Sequence, residues 1–197
     1  MKKTLEEIQE ELEKILRKKR FQHTLGVRYT AQALAMRFDE DVVLAGYAGM
    51  LHDCAKHLTG EEMLSLCRKN HIRCSETEQA NPSLLHAKLG AYFAREHYGV
   101  EEESVLSAIR WHTTGKPGMS GLEKILFIAD YIEPGRKMLP HMEEVRRAAF
   151  RDLDEAMYLI LFHTLSYLRE EGRGEESLDG FTADAYDFYR EMMERRQ

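Results

Sequence analysis

The sequence contains few cysteines, and they follow no pattern that would pair them. Its 197 residues include only Cys54, Cys67 and Cys74, and no two of these form a Cys-x-x-Cys motif. Small secreted domains use even sets of cysteines for their disulfides, and thiolate zinc sites use short repeated spacings. The sequence therefore indicates neither class, and we expect free thiols in a reducing cytosol.

The sequence also lacks long apolar runs and an excess of positive charge. No stretch approaches the roughly 18 to 20 apolar residues that a transmembrane helix needs, and the N-terminus does not resemble a signal peptide. Lysine and arginine number 28 against 34 acidic residues, for a formal net charge of -6. Because nucleic acids and anionic membranes attract basic surfaces, we expect a soluble, cytoplasmic protein that binds neither.

Apolar residues recur at helical spacing along most of the chain, and no segment shows the alternating pattern of a strand. Thr4 and Thr59 are each followed three residues later by glutamate, the capping-box pattern of a helix N-terminus. The length is compatible with one domain. The sequence therefore predicts an all-α fold.

Four local predictions follow from the pattern of polar and apolar residues. A helix should run from about Glu40 to Cys54, with Asp39 as its N-cap. Residues 73 to 81 are polar, and residues 81 to 83 should form a loop that leads into a helix. A second, polar loop should cover residues 171 to 180. One long helix should run from Glu143 to about Glu170.

Two carboxylates occupy apolar surroundings where an unpaired charge would be costly. Asp53 follows His52 at the end of an apolar run, and Asp130 lies within the apolar segment LEKILFIADYI. A buried salt bridge is one explanation for Asp130, and a metal ion is the other. Imidazole and carboxylate groups are ordinary ligands of zinc, iron and manganese. His23 is uninformative alone, since a single histidine on a helix is more often a hydrogen-bonded residue than a ligand.

Five short motifs give these residues a shared context. The order of a histidine, a His-Asp pair and a later aspartate resembles the HD superfamily of metal-dependent phosphohydrolases. The finer features are similar to its YqeK-type branch, which hydrolyses diadenosine tetraphosphate symmetrically to two ADP. The motifs are Arg20-Phe21-Gln22-His23-Thr24, Leu51-His52-Asp53-Cys54-Ala55-Lys56, Leu85-His86, Trp111-His112-Thr113-Thr114-Gly115 and Ala129-Asp130-Tyr131-Ile132-Glu133-Pro134-Gly135-Arg136.

The resemblance implies an HD-domain helical bundle and a metal site. Residues 1–197 would form a single domain, with a motif-bearing core over about 18–137 and C-terminal helices over 143–197 packed on it. The metal ligands would be His23, His52, Asp53 and Asp130, and the metal would be iron. Two imidazoles and two carboxylates suit six-coordinate Fe or Mn with open positions, although Zn, Co or Ni could load in vitro.

The same resemblance assigns residues to the substrate. The residues facing the nucleotide phosphates would be Arg20, Lys56, His86, His112, Thr113 and Arg136. The catalytic residues would be His86, His112, Lys56 and Asp53, with a metal-activated water attacking phosphorus. His86 and His112 have two alternative roles, because either could donate a proton to the leaving phosphate or both could bind a second ion.

Alternatives remain open for the substrate and the assembly. The chain could be an HD phosphohydrolase of another nucleotide, a mono- or triphosphate, or a nucleotide-sensing module without catalysis. It could be a monomer or a homodimer. Family members carry an aromatic-Pro-x-Thr turn near the C-terminus, and residues 181–184 of this chain, Phe-Thr-Ala-Asp, lack its proline. We assign no contacts to the nucleotide base for that reason.

Overall fold

The computed structural model describes residues 1–170 and 180–196, and over these residues it contains helices and no strand. The predicted all-α fold is confirmed. A 3-10 turn covers Pro82–Leu84. The α-helices are α1 (Leu5–Ile15), α2 (Lys18–Arg37), α3 (Val42–Leu51), α4 (Gly60–Lys69), α5 (Glu76–Ala80), α6 (Leu85–Glu96), α7 (Glu103–Trp111), α8 (Gly121–Ile132), α9 (Met142–Ala149), α10 (Leu153–Glu170) and α11 (Gly180–Glu194).

Helix α3 lies at the centre of the bundle. It packs against α1, α2, α6, α7 and α8, and every residue from Ala45 to Leu51 is buried. Its alanines and glycines allow several helices to approach it closely. Because the C-terminal two turns of α3 are buried on all sides, the residues that follow them, His52 and Asp53, enter the interior rather than solvent.

The contact between α2 and α3 requires a glycine at position 49. A Cβ atom at Gly49 would lie 2.6 Å from the Cα atom and 3.0 Å from the backbone nitrogen of Arg28. Backbone atoms cannot move aside as the end of a flexible side chain can. Gly49 therefore sets the separation between the helix that carries His23 and the helix that ends at His52.

The start of α3 differs from the prediction. Asp39 has φ +56 and lies in the turn before the helix, whereas Asp41 is the N-cap. The Asp41 carboxylate accepts hydrogen bonds from the backbone nitrogens of Val43 at 2.8 Å and Leu44 at 2.9 Å. An N-cap residue normally has an extended backbone, which Asp41 has and Asp39, in the left-handed region, does not.

The prediction of one helix over residues 143 to 170 was wrong, because α9 and α10 are separate helices. The Asp152 carboxylate caps α10 through the backbone nitrogens of Asp154 at 2.8 Å and Glu155 at 3.2 Å. Arg37 of α2 donates to the carbonyl oxygen of Phe150 at 2.9 Å. The polar residues 73 to 81 contain the short helix α5, capped by Ser75, which the sequence did not predict, and the predicted loop over residues 81 to 83 is largely the 3-10 turn Pro82–Leu84.

The structure also bears on the predicted helix caps, the predicted C-terminal loop and the expected absence of a transmembrane helix. The capping boxes at Thr4 and Thr59 are both formed. Residues 171 to 179 of the predicted C-terminal loop lie outside the described residues. Among the helices that are described, none is both long and apolar enough to cross a lipid bilayer.

The packing at position 49 gives a test of the fold. Gly49→Ala should lower the free energy of unfolding by about 1 to 3 kcal/mol, because the added methyl group meets backbone atoms of α2. Gly46→Ala, in the same helix, is the control, since its methyl group would meet the side-chain nitrogen of Gln32 at 2.9 Å and that side chain can shift. Urea unfolding of both variants measures the difference. A smaller loss for Gly49→Ala than for Gly46→Ala would contradict this account of the α2–α3 contact.

Candidate active site

The chemically reactive side chains come from five helices that converge on one region. His23 lies within α2 and Asp130 within α8, whereas His52 and His112 are the C-cap residues of α3 and α7. His86 lies in the first turn of α6. Helices that differ in sequence position by more than a hundred residues therefore supply one site.

The four predicted metal ligands lie close together. The Nε2 atom of His23 is 3.0 Å from Oδ1 of Asp130 and 3.9 Å from Oδ2 of Asp53. The Nε2 atom of His52 is 3.4 Å from Oδ2 of Asp53 and 3.9 Å from Oδ1 of Asp130. Two nitrogens and two carboxylate oxygens thus surround one small region of the interior.

The donor atoms fit a divalent transition metal. The Nε2 atoms of His23 and His52 are buried and have no hydrogen-bond partner in the described structure, although Oδ1 of Asp130 lies 3.0 Å from the His23 nitrogen. Ligand atoms of His23, His52 and Asp130 all lie within 4.8 Å of one another. A buried unpaired nitrogen is costly, and a metal ion at this position would satisfy both rings.

Each of the four histidines of the site uses its Nδ1 atom for a hydrogen bond. The partner is the carbonyl oxygen of Gly49 for His52 at 2.8 Å, of Ser83 for His86 at 2.5 Å and of Ile109 for His112 at 2.7 Å. For His23 it is the carboxylate of Glu133 at 3.0 Å. Because Nδ1 donates in His23 and His52, their Nε2 lone pairs are directed into the site. Nδ1 of His86 lies between the Ser83 carbonyl oxygen and the Lys56 ammonium group, and these two contacts favour opposite tautomers of that ring.

A second group of donors lies beside the first. The Nε2 atoms of His86 and His112 are 3.1 Å apart, and the Thr113 hydroxyl is 3.2 Å from each of them. Oδ1 of Asp53 lies 3.3 Å from the His86 nitrogen and 3.9 Å from the His112 nitrogen. His52, Asp53 and His112 also place ligand atoms within 4.8 Å of one another. Asp53 therefore contacts both groups through its two oxygens.

Burial and neighbouring charges set the ionisation of these groups. Burial, together with the smaller effect of an adjacent histidine, lowers the pKa of His86 to about 3 and that of His112 to about 4. Burial opposes ionisation of Asp53 and Asp130, but the imidazoles around them, and Arg136 beside Asp130, keep both carboxyl pKa values below the usual range. At neutral pH the site thus holds two carboxylates and at least two neutral imidazoles.

Three cations surround the carboxylates. Arg20 donates to Asp53 at 2.7 Å, and Arg136 donates to the side chain of Asp130 and, at 2.7 Å, to its carbonyl oxygen. The Lys56 ammonium is 3.0 Å from Nδ1 of His86, and burial lowers its pKa. The two arginine side chains are 37% and 39% exposed, so they lie where the site meets solvent.

The structure brings together all ten residues that the sequence singled out, and their assigned roles stay predictions. It also identifies one contact that the sequence analysis missed. Glu133, which the sequence only placed at the end of a helix, is buried against His23. Its position three residues after Asp130 was the available signal, because residues three apart lie on the same side of a helix.

Comparisons with known proteins agree with this geometry. The sequence model of the HD domain matches residues 20–189. Over 154 residues the chain is 44% identical to the "Bis(5'-nucleosyl)-tetraphosphatase, symmetrical" of Halalkalibacterium halodurans, covering 78% of this chain and 81% of that protein. Over 182 residues it is 34% identical to the protein of the same name in Staphylococcus aureus, covering 91% of each.

A solved structure extends the likeness to nearly the whole chain. It is from Clostridium acetobutylicum and is described as a "predicted HD superfamily hydrolase involved in NAD metabolism". The two structures superpose with a TM-score of 0.91 at 38% identity, covering 98% of this chain and 100% of the other. The match of the HD domain model to most of the chain, together with these relatives, shows that this chain belongs to the HD domain family.

Proposed function

We propose that the chain is a metal-dependent hydrolase that cleaves diadenosine tetraphosphate symmetrically into two ADP. The observation that carries the proposal is the convergence of His23, His52, Asp53 and Asp130, with two buried imidazole nitrogens that lack hydrogen-bond partners. The names of the Halalkalibacterium and Staphylococcus relatives supply the substrate. Phosphoric anhydrides hydrolyse slowly in water although the reaction is favourable, because their negative charge repels a nucleophile, and this site offers the charge neutralisation that faster cleavage needs.

The metal ligands in this proposal are His23, His52, Asp53 and Asp130. When bound there, a divalent ion supplies Lewis acidity and lowers the pKa of a coordinated water. The donor set of nitrogens and oxygens without thiolate favours iron, with manganese as the next choice. The hydrogen bonds at Nδ1 hold the rings of His23 and His52 in the required orientation.

The cations of the site neutralise the substrate and orient it. Arg20 and Arg136 lie at the solvent boundary, where an entering polyphosphate would first meet positive charge. Lys56 lies deeper, beside His86, and its ammonium group would stabilise negative charge that develops on the leaving phosphate. Thr113 can donate a hydrogen bond to a phosphoryl oxygen from its position between His86 and His112.

His86 and His112 keep both of their alternative roles. Burial lowers their pKa values to about 3 and about 4, so both rings are neutral near pH 7. Their Nε2 atoms lie 3.1 Å apart, a separation at which one nitrogen donates its proton to the other. One ring of the pair therefore presents an N–H and the other a lone pair, so the pair can donate a proton to the leaving phosphate or, once that proton is displaced, bind a second ion.

A second candidate substrate is another nucleotide. The description of the Clostridium relative mentions NAD metabolism, which would suit a different phosphate ester or anhydride at the same site.

The proposal has three further parts: a single domain over residues 1–197, a cytoplasmic location and an assembly no larger than a homodimer. The cytoplasmic location is supported by Cys54, Cys67 and Cys74, all of which are free thiols.

The reaction products test the proposed substrate directly. After anaerobic loading with Fe²⁺ or Mn²⁺, the protein should convert diadenosine tetraphosphate into ADP as the only nucleotide product, since attack occurs at an inner phosphorus. Chromatography of the products, alongside a panel of other dinucleoside polyphosphates and nucleoside mono- and triphosphates, measures the preference. Formation of AMP and ATP, or faster hydrolysis of a mononucleotide, would contradict the proposal.

Removal of one carboxylate tests the metal site. Asp130→Ala should abolish metal binding and reduce turnover by at least about a hundredfold, because it deletes a ligand and removes the carboxylate partner of Arg136. Asp154→Ala is the matched control, since it removes a half-buried carboxylate that pairs with Lys124, at 2.8 Å, away from the site. Circular dichroism should show native helical content in both variants. Full activity of Asp130→Ala would remove this residue from the site.

A further inference from the structure

We propose that Glu133 is a positioning residue that fixes the His23 ring, and that Gly26 is a glycine because the Glu133 carboxylate occupies the space next to it. The inference rests on the proposed metal site, since it concerns how His23 is presented to an ion. It adds two residues to that site that touch neither the ion nor the substrate.

His23 differs from the other three histidines in its place on its helix. His52 and His112 follow the ends of α3 and α7, where the last carbonyl groups have no partner within the helix and can accept from Nδ1. His86 uses a carbonyl group of the preceding 3-10 turn in the same way. His23 lies in an interior turn of α2, where the carbonyl groups are already hydrogen-bonded. Its Nδ1 atom therefore needs an acceptor from another helix.

Glu133 provides that acceptor at the end of α8. Its Oε1 atom is 3.0 Å from Nδ1 of His23, and its Oε2 atom accepts a hydrogen bond from the backbone nitrogen of Gly135 at 2.5 Å. The side chain is only 4% exposed, and among the described residues its one ion-pair partner is His23. A buried carboxylate without a lysine or arginine is costly, so its location calls for a specific contact, and His23 is the contact present.

Carboxylates of α8 lie beside both nitrogens of the His23 imidazole. Asp130 is 3.0 Å from Nε2 of His23, and Glu133, one turn later, is 3.0 Å from Nδ1. Side chains three residues apart on a helix lie on the same face, so both carboxylates reach α2 from one side. The hydrogen bond to Glu133 keeps the proton on Nδ1, so Nε2, which has no hydrogen-bond partner, directs its lone pair towards the proposed ion.

Gly26 makes room for the carboxylate on the opposite helix. It lies three residues after His23, on the same face of α2. A Cβ atom at this position would be 3.0 Å from Cδ of Glu133 and nearer still to Oε2. Glycine is otherwise unfavourable within a helix, and its backbone here is in the ordinary helical region. The glycine is therefore explained by the space that Glu133 occupies.

The test compares the affinity for Mn²⁺ of purified metal-free variants by isothermal titration calorimetry. Glu133→Ala and Gly26→Ala should each weaken binding about tenfold or more, since loss of the partner of a ligating histidine has effects of this size. The double variant should be no weaker than Glu133→Ala alone, because both changes act on one contact. Glu133→Gln keeps an oxygen acceptor and should be affected less. Gly46→Ala, another helical glycine, should bind as wild type does.

A second measurement does not depend on the metal. Proton NMR of the metal-free protein with ¹⁵N-labelled histidine should show a downfield, exchange-protected Nδ1–H signal of His23, assigned by its loss in His23→Asn. The signal should persist in Glu133→Gln and Gly46→Ala, and it should disappear in Glu133→Ala and Gly26→Ala. A merely structural role of Glu133 would not produce this pattern.

The two measurements separate the possible failures. If Glu133→Ala binds Mn²⁺ within twofold of wild type, or if Gly26→Ala and Glu133→Ala have additive effects, the positioning role is wrong. Persistence of the His23 signal in Glu133→Ala would overturn it as well. If the wild-type protein shows the signal but binds no Mn²⁺, the proposed metal site fails and the positioning inference fails with it, while the hydrogen bond between Glu133 and His23 stands.

Discussion

The burial of negative charge within an apolar helical bundle is the constraint on which this structure depends. Asp53 is buried and the Asp130 side chain is 21% exposed, and the unfavourable desolvation of the two carboxylates is offset by imidazoles and by the guanidinium groups of Arg20 and Arg136. These contacts leave two buried nitrogens unpaired, because the Nε2 atoms of His23 and His52 have no hydrogen-bond partner in the described structure. These two nitrogens could instead coordinate a divalent cation. We therefore interpret the cost of the buried carboxylates as the cost of a preformed metal site.

The fold achieves this arrangement through helix ends and close helix packing. Helices α3 and α7 both end at a histidine, so unused carbonyl groups of the last turn orient the rings of His52 and His112. The close approach of α2 at Gly49 brings His23 alongside His52, with ring centroids 5.3 Å apart. Packing of α2 and α8 around α3 is thus directly coupled to the distance between ligands.

Much of the fold and site could be predicted from sequence, for identifiable physical reasons. A carboxylate in an apolar run is visible in the sequence, and this made Asp53 and Asp130 recognisable, while capping boxes marked helix starts at Thr4 and Thr59. The break between α9 and α10 was missed because apolar periodicity continues across it, and a single cap at Asp152 decides it. The role of Glu133 was not predicted, because a glutamate before a proline at the end of a helix is ordinarily exposed. Its burial follows from the packing of α8 against α2 at Gly26, which the sequence does not reveal.

The central claim is that one cation is held by residues distant in sequence, and anomalous X-ray diffraction from crystals of the manganese- or iron-loaded protein tests it most directly. The account predicts a metal peak within about 2.0 to 2.3 Å of Nε2 of His23, Nε2 of His52 and one carboxylate oxygen each of Asp53 and Asp130. Metal bound elsewhere on the protein, or a peak that contacts fewer than three of these four side chains, would contradict it.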